Sequence, residues 1–226
     1  MIKENLNYLK ELIAARCSAA GRGEDSVTLV AVSKLFGADR IEQALAAGQT
    51  HFGENYAQEF RDKHALLTER GITWHFIGTL QTNKVKYVAG NAHYIHSVDS
   101  FKILEEINKQ AGKKGVVQKI FFEFKSSFES TKSGSNRDEV FSLAESAAGM
   151  GNIEVVGLMT MAPFVDDITI IRDAFVRTRQ LRDELNRSGH TSVKELSMGM
   201  TGDYAVAIEE GSTFLRIGTA IFGERN

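Results

Sequence analysis

Val27-Thr28-Leu29-Val30-Ala31-Val32-Ser33 is a short, nearly all-apolar run rich in valine. A run of this length without polar alternation reads as a strand buried on both faces, as in a parallel sheet. Lys34 follows it directly. Ahead of the strand, Ile2, Leu6, Leu9 and Ile13 recur at three- and four-residue steps, one face of a helix that Gly21 and Gly23 stop. Behind it the pattern alternates. Residues 39–47 read as a helix ending at Gly48, 51–53 as a strand, 55–69 as a helix stopping at Gly71, 73–77 as a strand, 81–88 as a helix and 94–98 as a strand. Asp99 or Ser100 can cap a helix with Phe101, Leu104, Ile107 and Ala111 on its face.

The second half repeats the pattern. Residues 116–124 are β-rich, and Asn136 with Glu139 offers a capping box before Val140, Phe141 and Ala144. Residues 153–159 read as a strand. Ile168, Ile171, Phe175, Thr178 and Leu185 mark a long helix ending near Gly189, followed by strands at 193–197 and 213–217 around a short helix at 204–209. Strands alternating with helices imply a parallel sheet. About eight such units in 226 residues suit a (β/α)8 TIM barrel, with an extra N-terminal helix. An open doubly wound sheet is the alternative. No Pro/Ser-rich linker or change in composition divides the chain, so residues 1–226 read as one domain.

Composition narrows the function. The chain has 27 basic and 29 acidic residues, a net charge of −2, and is 42% hydrophobic, which excludes disorder and argues against a broad nucleic-acid footprint. Cys17 is the single cysteine, so no intrachain disulfide or thiolate cluster can form. No run approaches the ~20 apolar residues of a membrane span. The charged N-terminal segment lacks the apolar centre of a signal peptide. The expectation is a cytoplasmic protein.

In a barrel, chemistry sits where strands end. Lys34 leaves the first strand into the barrel mouth, where apolar walls can lower an amine's pKa and a neutral amine can attack an aldehyde. A lysine that only marks the strand's exit is the commoner case. Asn55, in Phe52-Gly53-Glu54-Asn55, would cap a helix or contact a ligand. Two glycine-containing strand exits follow: Leu196-Ser197-Met198-Gly199-Met200-Thr201-Gly202-Asp203, and Arg216-Ile217-Gly218-Thr219-Ala220-Ile221-Phe222-Gly223. These lie after the seventh and eighth strands, where such barrels hold phosphate. His93 and His96 make a poor metal pair, His75 reads as a core or mouth residue, and Met159 and Met161 read as core. A lysine nucleophile with a phosphate cradle suggests a phosphorylated aldehyde: pyridoxal 5′-phosphate (PLP), or a sugar phosphate in a Schiff-base aldolase.

The segments Val30-Ala31-Val32-Ser33-Lys34, Phe52-Gly53-Glu54-Asn55-Tyr56, Trp74-His75-Phe76-Ile77-Gly78, Leu80-Gln81-Thr82-Asn83-Lys84, Leu196-Ser197-Met198-Gly199-Met200 and the Arg216–Gly223 octapeptide together resemble the PLP homeostasis family. The resemblance implies a barrel similar to the N-terminal domain of alanine racemase. It implies PLP held as a Schiff base on Lys34, phosphate contacts from Ser197, Gly218 and Thr219, Arg216 facing the pyridine nitrogen, and Asn55 and Met198 lining the ring. It further implies a role in PLP homeostasis without established turnover, so that the chain is no enzyme. The expected partners are PLP and PLP-accepting apo-enzymes, with no nucleic acid and no membrane, and the expected chain is a monomer. Racemase-like chemistry is the alternative. The barrel takes up nearly all 226 residues, leaving none for the domain that supplies alanine racemase's second base. Two departures stand out. Leu35-Phe36-Gly37 replaces a Thr-Lys-Pro-like turn, and Phe124-Lys125 replaces an Asn-containing strand end, although Glu129, Lys132 and Gly134 keep the family spacing. Lys132 reads as a solvated loop lysine or as a second amine near the mouth.

Overall fold

A computed structural model describes residues 1–126 and 134–224. Eight parallel strands close into a barrel in chain order: β1 (Thr28–Val32), β2 (His51–Glu54), β3 (Thr73–Phe76), β4 (Tyr94–Val98), β5 (Gln118–Glu123), β6 (Ile153–Met159), β7 (Glu195–Ser197) and β8 (Phe214–Ile217). β8 returns to β1 through four Cα pairs, from Thr28↔Phe214 to Ala31↔Ile217. Closure removes both sheet edges and sets all the strand exits around one mouth.

Helices cover the outside: α1 (Ile2–Ala19), α2 (Ala38–Ala46), α3 (Ala57–Leu66), α4 (Val85–Val88, continuing a 3-10 turn at Thr82–Lys84), α5 (Phe101–Lys113), α6 (Arg137–Ala148), α7 (Ile168–Arg187), α8 (Tyr204–Glu209) and α9 (Thr219–Phe222). α1 precedes β1 and buries Ile2, Leu6, Leu9, Ile13 and Cys17, the face its spacing predicts. The Asn136–Glu139 capping box is formed at the start of α6. Three details differ from the periodicity. Phe101 is exposed at the start of α5, where Ile103 takes the buried position. Ile168 is exposed at the start of α7. Val116 and Val117 are exposed, and β5 begins only at Gln118. Among the described residues no helix is long and apolar enough to cross a membrane. Glu129 and Lys132 lie outside the described residues.

Strand alternation separates two cores. Leu29, Ala31, Phe52, Trp74, Phe76, Leu196, Leu215 and Ile217 face the helices. Val30, Phe121, Val156, Met159 and Phe214 fill the barrel interior. Continued along β1 and β8, that two-residue period sends Lys34 after Val30 and Val32, and Arg216 after Phe214, toward the axis.

Candidate functional site

A cavity of about 540 Å³ opens at the C-terminal mouth of the barrel. Lys34, Asn55, Arg216, Gly218 and Thr219 all line it, although they come from the ends of β1, β2 and β8. Val32 and Ile77 contribute apolar surface from the strand ends. The segment between β6 and α7 adds Met161, Phe164 and Val165, and Thr201, Gly202 and Asp203 close the side after β7. Phe164 is fully exposed, so the rim is apolar and open to solvent. Met161, expected in the core, belongs to this rim.

Arg216 is buried at the base. Its Nη1 donates to Ser197 Oγ at 2.6 Å and its Nη2 to the Thr160 carbonyl at 2.9 Å. Burial lowers its pKa to about 10, against the opposing fields of Asp203 and Glu123, so the guanidinium remains charged at neutral pH. Asp203 is itself pushed upward by burial, while Met200 N–H, donating to its Oδ1 at 2.5 Å, and Arg216 favour the ionised form. Asn55 does not cap α3: the N-cap is Tyr56, and no side-chain cap bond forms. Asn55 Oδ1 is instead buried with no hydrogen-bond partner. Gly218 is the N-cap of α9, and Thr219 its first residue.

Two expected contacts fall elsewhere. Met198 points outward and packs, fully buried, in the core between strands and helices, because it is one residue out of phase with the inward-facing Ser197. Ser197 is also fully buried but lies behind Arg216 rather than on the cavity wall. Its hydroxyl is engaged by Arg216 Nη1 and by His96 Nδ1, 2.8 Å away.

That contact begins a relay absent from the sequence reading. His96 Nε2 lies 2.9 Å from His75 Nδ1, and His75 Nε2 lies 2.9 Å from His51 Nδ1. The line crosses the barrel interior from the buried Arg216 to the half-buried His51, which borders a groove at the opposite end. Burial is the first cause that holds His75 and His96 well below the usual histidine range. Guanidinium can only donate. The assignment that leaves no relay proton unpaired therefore runs from Arg216 to Ser197, His96, His75 and His51, each ring carrying its proton on Nε2. The sequence signal was three inward positions on consecutive strands, visible only once the register is known.

The cavity residues suit a phosphorylated aldehyde. Lys34 offers an amine; Thr219 and the first peptide of α9 offer donors in a favourable helix field; Arg216 offers a fixed positive charge. The unpartnered Asn55 Oδ1 calls for a donor, which the phenol of PLP can supply. The donor set therefore fits PLP.

The alanine racemase N-terminal-domain profile matches residues 2–226. The pyridoxal phosphate homeostasis protein of Aquifex aeolicus is 41% identical over 98% of this chain and 97% of its own. That of Vibrio cholerae is 37% identical over 100% of this chain and 97% of its own. The structure of PipY from Synechococcus elongatus with PLP bound superposes with a TM-score of 0.88 at 33% identity, covering 99% of this chain and 100% of that one.

Proposed function

Because the chain belongs to the alanine racemase N-terminal-domain family, and within it to the pyridoxal phosphate homeostasis proteins, we propose that it binds PLP in the barrel mouth and serves PLP homeostasis without turning over a substrate. One observation carries the reading: an amine, a fixed cation and a glycine-led helix start, drawn from opposite ends of the sequence, line one cavity. Lys34 Nζ would hold the cofactor covalently through its aldehyde carbon. Gly218 and Thr219 receive the phosphate through backbone N–H groups and the Thr219 hydroxyl. Ser197 assists by holding Arg216. Asn55 would meet the ring edge, and Arg216 would face the ring nitrogen.

Arg216 bears on the choice between holding and catalysis. Bound PLP supplies an electron sink, which is strongest when its ring nitrogen is protonated. A charged guanidinium opposite that nitrogen disfavours the proton. This weakens the electron sink and narrows the carbanion chemistry the site could support. The same reading takes PLP-accepting apo-enzymes as partners, a monomeric single-domain chain and a cytoplasmic setting.

The test is direct. Wild-type protein incubated with PLP should be yellow. Borohydride should fix a pyridoxyl group on the peptide containing Lys34, and Lys34→Ala should lose both signals. A wild-type chain that stays colourless with PLP sinks the proposal. Amino-acid racemisation above background that disappears in Lys34→Ala would restore the enzyme reading.

A further inference from the structure

The turn that carries Lys34 is held from behind by charges that do not line the cavity. Phe36 N–H donates to the Ser33 carbonyl at 3.1 Å, so residues 33–36 form a β-turn with Lys34 and Leu35 at its centre. Leu35 has φ +66°, the only positive φ of a non-glycine residue among the described residues. Positive φ at the third position is the type II geometry that favours Gly or Asn. A leucine there is strained and needs external restraint.

Lys63, buried on α3, supplies that restraint. Its Nζ donates to the Ser33 carbonyl at 2.8 Å, to Glu54 Oε1 at 2.7 Å and to Glu59 Oε1 at 2.7 Å. An ammonium has three donors, and all three are spent. Glu59 Oε1 also accepts Leu35 N–H at 2.7 Å, and Glu54 Oε1 accepts the Ser33 hydroxyl at 2.6 Å. The peptide groups on both sides of Lys34 thus end on one ion cluster. A buried ion pair seldom repays its desolvation as stability alone, and here its contacts are spent on one turn. On the turn's other side, Phe36 packs on Phe222 with ring centroids 5.1 Å apart, and Arg40 Nη2 donates to the Phe222 carbonyl at 2.8 Å. Phe222 ends α9, whose first turn is at Gly218 and Thr219. Leu35-Phe36-Gly37, the departure from the family turn, is therefore the piece that joins the lysine to the phosphate side.

We propose that Lys63, with Glu54 and Glu59, is a positioning unit that holds the strained Lys34 turn, and so sets the approach of Lys34 Nζ to the aldehyde carbon of PLP. The inference rests on Lys34 being the PLP-bearing lysine. Glu59→Ala is the informative variant, since Glu59 is the most exposed of the three and its loss leaves the Lys63–Glu54 pair intact.

The experiment titrates wild type, Glu59→Ala and Glu59→Ala/Leu35→Gly with PLP, following the visible band, and measures exchange of the residue-35 amide and the thermal midpoint. Glu59→Ala should weaken PLP binding by about tenfold, the scale of one lost charge-assisted bond, and should speed residue-35 exchange. Adding Leu35→Gly should restore most of the affinity, because glycine adopts φ +66° without a clamp. A general packing role for Glu59 predicts no such rescue. PLP affinity unchanged in Glu59→Ala, unchanged residue-35 exchange, or absence of rescue overturns the clamp. If wild type itself places no pyridoxyl group on Lys34, the reading of the site fails instead, and residue-35 exchange still decides whether the clamp exists.

Discussion

Ser197→Ala deletes a single hydroxyl where the cavity base meets the histidine relay, and its cost can be worked from two contacts. Arg216 Nη1 loses an acceptor at 2.6 Å and His96 Nδ1 loses its partner at 2.8 Å, both in fully buried surroundings. A hydrogen bond to a charged group contributes about 1.5–3 kcal/mol, and an orphaned buried polar atom costs about 1–3 kcal/mol. The methyl side chain left behind fits the space of the hydroxyl carbon, so little packing is lost. The expected destabilisation is about 3–5 kcal/mol. At roughly 2–4 °C per kcal/mol for a domain of this size, the thermal midpoint should fall by about 6–20 °C. Urea and thermal unfolding of the chain without PLP measure it. A loss below about 1 kcal/mol would show that a neighbour or a water replaces the hydroxyl. A loss seen only when PLP is present would show that the hydroxyl's working partner is the phosphate, and would refute its assignment to the relay.

Acid should unfold the protein through its buried histidines. His75 and His96 have folded pKa values held well below 6.5, chiefly by burial, so the unfolded chain binds protons that the folded chain refuses. Their contribution to stability is complete above 6.5 and declines as the pH falls below it, by at most about 1.4 kcal/mol per pH unit for each ring. Urea titrations across this window, compared with His75→Phe, isolate the effect, and identical pH profiles for the two chains would refute it. Gly78→Ala should disturb the cavity wall, since an added Cβ would lie 2.1 Å from the Asn55 carbonyl oxygen and 2.6 Å from its Cα. Both atoms are backbone and cannot swing aside, so a lower midpoint and at least about tenfold weaker PLP binding are expected; wild-type values for both would mean that the loop yields freely.

The sequence revealed most of the architecture because its signals are local. Valine-rich β1, the helical face of α1 and the Asn136–Glu139 box each declare themselves within a few residues. The element ends were less legible: Val116 and Val117 have strand-like side chains but stand before the first ladder bond of β5. Lys34, Asn55, Arg216, Gly218 and Thr219 were singled out by their places at strand ends and by the family motifs, and all five line one cavity. Met198 illustrates the limit. Within a motif every residue looks equally near the ligand, but a one-residue step in a strand reverses the side chain, and Met198 lies on the wrong phase. The histidine relay and the Lys63 cluster were illegible for a related reason. Each is assembled by interstrand register or by a helix folding back on a strand exit, and neither leaves a periodic trace.

The relay and Arg216 together say what the base of the cavity can do. Arg216 has no acceptor to offer, and burial lowers its pKa only to about 10. Ser197 accepts from it and passes its own proton to His96, which fixes the direction of every bond as far as His51. In that arrangement no relay nitrogen facing the cavity is free to take a proton, and none can give one without reversing the whole line. Reversal would leave Ser197 with a proton and no acceptor in a fully buried position. A base of this kind presents one fixed positive charge and one fixed hydrogen-bond direction to the cavity. Proton abstraction at a substrate carbon needs the opposite: a group whose proton moves cheaply near neutral pH. The directionality of the relay therefore keeps Arg216 a permanent donor at the base of the cavity, and any proton transfer at a bound molecule falls to other cavity groups such as Lys34.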